Sequence, residues 1–179
     1  MKQVKCKVCR KLYTRSRPLQ QVCSPLCAIE LSKKKRDLLD RKEYREQKEK
    51  IKRRADWLRE AQAAFNAWVR HRDRDLPCIS CGRHHTGQYH AGHYRSVGSN
   101  PALRFEPLNV HKQCSVCNNH KSGNLIEYRI NLLARIGERN LDWLEGPHDP
   151  MKYTIDDLRK IRDDYRLRLR QAKKYPENP

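Results

Sequence analysis

Eight cysteines set in four close pairs constrain this chain more than any other feature: Cys6 and Cys9, Cys23 and Cys27, Cys78 and Cys81, Cys114 and Cys117. Thiolates so close in sequence can ligate one tetrahedral ion, and in a reducing compartment such pairs point to zinc rather than to disulfides. Two four-cysteine sites account for all eight: Cys6, Cys9, Cys23 and Cys27 for one Zn²⁺, Cys78, Cys81, Cys114 and Cys117 for another. The competing reading is a secreted disulfide framework. It fits poorly with a charge of +19, from Lys+Arg 40 against Asp+Glu 21, and with a first stretch that does not read as a signal peptide.

That charge is more than solubility needs and concentrates polyanions, so nucleic acid is the expected partner. No apolar run approaches the roughly 20 residues of a membrane span, so no membrane partner is expected. The expected location is the cytoplasm of the host bacterial cell. A hydrophobic fraction of 37% and mean hydropathy of -1.04 leave little for a large core.

Four regions follow from the pattern. Residues 1–28 hold two cysteine pairs with thirteen residues between them, enough for a hairpin, and read as a small zinc knuckle. Residues 29–74 form a basic helical arm, without Gly or Pro from Ile29 to His71, carrying Lys33, Lys34, Lys35, Arg36, Arg53 and Arg54 as DNA contacts. Tyr44, Ile51, Leu58 and Phe65 recur every seven residues, half of a coiled-coil signature. Farther along, Trp57, Leu58, Ala61, Ala64, Phe65, Trp68 and Val69 make an apolar stripe that should dock on a folded domain.

Residues 75–146 carry the chemistry. "QYHAGHYRS" and "ALRFE" read as two short strands, with a helix beginning near Cys117. Asn124 and Glu127 suggest a capping box that opens a further helix ending at Gly137, and another short helix is expected around Leu141–Leu144. Residues 147–179 read as a basic amphipathic helix capped by Thr154 with Asp157. Ile155, Leu158, Ile161, Tyr165 and Leu169 would pack, while Arg159, Arg162, Arg166, Arg168 and Arg170 would be displayed, and the tail "YPENP" should fray. The expected fold is mainly α, around a small zinc-stapled ββα-metal core.

Cysteine pair, histidine at the end of a strand, asparagine in a loop, second cysteine pair and then "CNNHK" resemble the HNH motif, also called the ββα-metal or His-Me finger. "RDRDLPCISCG", "AGHYR", "LRF", "NVHKQCSVCNNHKSGN" and the paired-cysteine N-terminus are similar to the NinG (Rap) family of lambdoid phages, over nearly the whole chain. The resemblance implies a metal-dependent endonuclease that acts on branched recombination intermediates such as D-loops and Holliday junctions, leaving a 5′-phosphate and a 3′-hydroxyl.

Residue by residue, the resemblance makes His93 the general base and Asn109 the residue that steadies its loop. Asn118 becomes a ligand of a catalytic Mg²⁺ or Mn²⁺. Many HNH sequences place a second ligand, Asp or His, just before the base, where this chain has Gly92. Residues two apart on a strand share a face, so His90 is the expected substitute, with His120 its rival. Arg95, Arg104 and Lys121 are candidate phosphate contacts; His71, His84, His85, His111 and His148 are read as surface or hydrogen-bonded residues. A homodimer suits a two-fold junction, and phage or host recombination proteins are expected partners. Two other classes fit the residues: a junction-binding architectural protein without activity, and a sequence-specific homing or restriction nuclease.

Overall fold

The computed structural model describes residues 3–175, whose contacts divide the chain into two units, Met1–Lys52 and Arg53–Pro179. The tail expected to fray lies, from residue 176 onward, outside the described residues. In the first unit, β1 (Gln3–Lys5) and β2 (Leu12–Thr14) form an antiparallel hairpin with Val4 opposite Tyr13. A long helix, α1 (Pro25–Lys50), follows. Its start is local chemistry: the Ser24 hydroxyl accepts from the Cys27 amide at 3.3 Å and Pro25 takes the first turn, where its missing N–H costs nothing. No residue of α1 is buried, and Lys33, Lys34, Lys35 and Arg36 are exposed on it.

The chain then leaves the helix for three residues. A second helix, α2 (Arg54–Arg72), begins the second unit, with the Arg53 amide donating to the Asp56 carboxylate at 3.1 Å. The heptad seam is therefore divided: Tyr44 and Ile51 are exposed, while in the stripe from Trp57 onward Trp57, Ala61, Ala64, Phe65 and Val69 are buried and Leu58 and Trp68 partly so. Trp57, Ala61, Phe65 and Val69 pack against Leu158 and Tyr165 of the last helix (Ile155–Lys174, α5), with Phe105, Val110 and Tyr153 closing the cluster. Phe65 meets Tyr165 edge to face at 4.8 Å between ring centroids.

β3 (Tyr89–His93) and β4 (Val110–Cys114) pair antiparallel, from Tyr89 opposite Cys114 to His93 opposite Val110. "ALRFE" is not a strand: Pro101–Phe105 is a 3-10 helix that buries Leu103 and Phe105, and the second strand is "VHKQC". Pro101 presets the first helical φ, and the Leu103 carbonyl is taken by the Asn109 carboxamide rather than by a sheet partner. All five residues of β4 are buried, so its polar side chains disguise a strand that is covered on both faces.

One π-helical turn, Val116–His120, follows β4 and leads to α3 (Leu125–Ile136) and α4 (Glu138–Glu145). Asn124 does precede α3, but in the left-handed conformation and without a side-chain cap; the capping box is absent, and its amide reaches Cys117 Sγ at 3.9 Å instead. Gly137, at φ +78°, ends α3 where expected. A second core gathers Ile79, Leu103, Tyr128, Leu132, Leu141 and Leu144. Thr154 and Asp157 form the expected reciprocal cap of α5. Arg162, expected on the displayed face, is buried, lies 4.6 Å over the Trp57 ring and donates to Glu60 at 3.1 Å.

The interior also holds a carboxylate. Asp73, just past α2, is 2% exposed and receives the Lys112 amide at 2.9 Å and the forked Arg72 guanidinium at 2.7 and 2.9 Å. The His111 ring lies 3.6 Å away. Burial pushes the Asp73 carboxyl up, but the forked hydrogen bonds and charge of Arg72, with the Lys112 amide, outweigh it and hold the group well below the usual carboxylate range. A carboxyl depressed on folding contributes stability that is fully present above about pH 4, its unfolded value, and lost as pH falls through the folded one. Asp73→Ala should reduce unfolding free energy by about 3–5 kcal/mol at pH 7, with a smaller difference from wild type in acid, as read by denaturant titration.

Candidate active site and metal centres

Each cysteine quartet comes together. Within each, the four sulfurs lie within 4.8 Å of one another, and none of the eight cysteines is in a disulfide. Zinc–sulfur bonds of about 2.3 Å place tetrahedral sulfurs about 3.8 Å apart, so both quartets fit one ion with no place for water. In the first unit the Cys23 and Cys27 sulfurs are 3.8 Å apart, and Cys27 is carried by the first turn of α1. In the second unit, the Cys78 thiol is raised by burial but drawn below its usual value overall by backbone amides, that of Cys114 at 3.3 Å foremost. Amides aimed at sulfur favour the thiolate, the form a metal binds.

His85 stands beside this centre, against one of its sulfurs, although its sequence position does not announce it. Its Nε2 is 3.2 Å from Cys81 Sγ, and its backbone N–H donates to the Tyr89 hydroxyl at 2.6 Å. Only the four-residue offset from Cys81 could have marked it.

His93 closes β3, and burial lowers its imidazole below the ordinary value of 6.5, with the Arg104 carbonyl pulling the other way. That carbonyl is 3.0 Å from Nε2. A carbonyl only accepts, so Nε2 carries the proton and Nδ1 the lone pair. Asn109, fully buried, acts on the same loop: Oδ1 accepts from the Arg95 amide at 2.7 Å, and Nδ2 donates to the carbonyls of Arg95 and Leu103 at 3.0 and 3.1 Å. One side chain thus ties residues 95 and 103 to the foot of β4 and shapes the segment that presents Arg104's carbonyl to His93.

The other candidates are placed less tightly. Asn118 and His120 lie on the π-helical turn; Asn118 donates to Asn119 at 2.8 Å, and no hydrogen bond joins it to His90 or His93 among the described residues. His90 sits on β3 with Nε2 buried and without a partner. Its cross-strand partner is Gln113, whose Oε1 is likewise buried and unpartnered. A Cβ on Gly92 would overlap that oxygen and come within 2.9 Å of Cδ, so the glycine leaves the room that the carboxamide fills. Among the described residues, no third group of His, Cys, Asp or Glu gathers closely enough to hold an ion.

Arg95 is half-buried with Nε lacking a partner; Arg104 donates to Gln62 at 3.1 Å; Lys121 is exposed after the π turn. Arg53 and Arg54 are exposed at the start of α2, where Arg54 Nε also donates to the Tyr153 carbonyl at 2.7 Å. Of the default histidines, His84 and His85 are exposed, His148 faces the Leu144 carbonyl at 3.3 Å, and His111 is buried between Asp73 and the Leu108 carbonyl.

These features define a strongly basic, mainly helical protein with two cysteine centres able to hold metal. The profile of the family described as "Bacteriophage Lambda NinG protein" matches residues 1–177. Protein ninG of Escherichia phage 933W is 40% identical over 94% of this chain and 93% of its own length. Protein ninG of Escherichia phage lambda is 47% identical over 69% of this chain and 60% of its own. No solved structure matches. The chain belongs to the NinG family.

Cys114 belongs to β4 and to the metal quartet at once. Cys114→Ser should release one equivalent of zinc and unfold the second unit, as seen by metal analysis and loss of near-ultraviolet dichroism; retention of both would remove Cys114 from the ligand set.

Proposed function

We propose that this protein is a divalent-metal-dependent DNA endonuclease of the HNH type, acting on branched recombination intermediates in the host cytoplasm. What supports the reading best is the state of His93: a neutral imidazole at the end of a strand, with Nε2–H bound to the Arg104 carbonyl and Nδ1 carrying the lone pair. A base that takes a proton from water needs this form. Asn109 keeps the loop, and through it the ring, in place. Asn118, with His90 or His120, would hold Mg²⁺ or Mn²⁺. When bound, such an ion supplies Lewis-acid stabilisation of charge on the scissile phosphate.

The substrate class rests on the NinG resemblance and on charge. Lys33 to Arg36 on α1, and separately Arg53 and Arg54 at the start of α2, present exposed cations, which suits backbone contact and shape rather than base reading. The two four-cysteine centres, with Zn²⁺, have a structural role. Gly92 favours a second reading, a junction-binding protein without catalysis, because it removes the side chain that usually precedes the base.

His93→Ala should bind a Holliday junction or D-loop like wild type while cleavage falls by about 10²-fold or more. Binding of junctions by both with cutting by neither, in Mg²⁺ and in Mn²⁺, would establish the second reading; cutting of linear duplex at fixed sequences would make it a site-specific nuclease. Because burial depresses the His93 pKa, cleavage should rise with pH along a limb centred below 6.5, as read from a pH–rate profile.

A further inference from the structure

Two buried polar atoms lack partners on one face of the β3–β4 ladder. His90 and Gly92 share that face, since side chains alternate along a strand, and Gln113 is the register partner of His90. Cross-strand partners have Cβ atoms about 5 Å apart, so the His90 ring and the Gln113 carboxamide arise from adjacent points. Of the three buried side-chain atoms without a partner among the described residues, His90 Nε2 and Gln113 Oε1 lie here and Arg95 Nε lies beyond the strand. Gln113 is fully buried. In native proteins an orphaned buried oxygen calls for an ion or a water to complete it.

The direction of the Gln113 amide is fixed by its surroundings. Nε2 lies 2.5 Å from the Gly123 carbonyl and 2.6 Å from Ser80 Oγ, and a carbonyl can face only a donor, so the oxygen is turned toward Gly92. There it occupies the space that a Cβ of residue 92 would require. The segment that follows is tied to the same side chain: the Gly123 carbonyl bonds Gln113, and the Gly123 amide bonds the Cys117 carbonyl at 2.9 Å, bracketing Asn118 and His120.

We propose that Gln113 Oε1 is the oxygen donor that replaces the missing side chain at position 92, and that it joins His90 Nε2 and Asn118 in holding the divalent cation. The donor function has moved across the ladder, from one strand to the facing residue of the other. This rests on the nuclease reading above for the use of the ion, but not for its binding. Carboxamide oxygens with one imidazole nitrogen form a neutral set of intermediate softness, which favours Mn²⁺ over Mg²⁺.

The test is Mn²⁺ binding to the full-length, zinc-loaded protein, followed by calorimetry and by the electron-spin resonance of free Mn²⁺, with cleavage assayed in parallel. Gln113→Met keeps an unbranched side chain without the oxygen. It and His90→Ala should each weaken Mn²⁺ binding by about tenfold or more while zinc content stays at wild-type level. The pair Gly92→Asp with Gln113→Ala, which returns an oxygen donor to β3 and clears its space, should recover binding. A measurement on wild type covers any variant that fails to fold: substoichiometric Mn²⁺ should broaden the Gln113 side-chain amide and His90 ring resonances first.

If those resonances stay sharp while Mn²⁺ binds, or if folded Gln113→Met binds as tightly as wild type, the assignment falls and a water completes the two atoms. If wild type cuts but the variants bind Mn²⁺ unchanged, only the ligand assignment is lost. If wild type neither binds Mn²⁺ nor cuts, the nuclease reading is lost with it.

Discussion

A two-stranded ladder leaves each strand with an unpaired edge, and what closes the outer edge of β4 organises the second unit. The Lys112 amide goes to the Asp73 carboxylate, and the Lys112 carbonyl accepts from the Ile79 amide at 3.0 Å. The Val110 carbonyl takes Arg72 at 2.8 Å, and the Cys114 amide faces the Cys78 sulfur. Residues 72–79 thus serve in place of a third strand. In a strand buried on both faces, each of these groups left unmade would cost about 1–3 kcal/mol. The same segment brings Cys78 beside Cys114, so edge closure and assembly of the metal quartet are one event. It also sets the foot of β4, where Asn109 fastens the loop of His93.

What could be read in advance was local. Ser24, Thr154 and Asp157 act within one helical turn, the cysteine quartets follow from offsets along the chain, and the stripe from Trp57 to Val69 has a helical period that survives folding. What could not be read depends on partners far away. "VHKQC" looks solvated because His111, Lys112 and Gln113 find their partners at Asp73, Arg74, Ser80 and Gly123. Arg162 looks like one more displayed cation until Trp57 and Glu60, about a hundred residues earlier, are placed beneath it. "ALRFE" has the alternation of a strand, yet its Leu103 and Phe105 enter two different cores, which a 3-10 turn permits. The histidine and asparagine positions were visible through family resemblance, while the side chain filling the space at Gly92 was not, because it comes from the opposite strand.

The π-helical turn after β4 fits the same picture. Cys117 must reach the quartet while Gly123 turns back to Gln113, and the widened turn spans the short distance between those two anchors. Asn124, left-handed and bonded to a cysteine sulfur, is drawn into the metal centre's surroundings and away from helix capping.

The partner of His93 Nε2 is main chain rather than side chain. The proton location on that imidazole is therefore written in the path of the backbone, and no exchange of the Arg104 side chain erases it. The Arg104 side chain has other work, donating to Gln62, whereas the position of the carbonyl falls to Asn109, whose amide holds the neighbouring Leu103 carbonyl. For the imidazole's tautomer alone, influence runs inversely to proximity: the side chain of the residue whose carbonyl meets the ring does not enter, and the carboxamide one bond further away does.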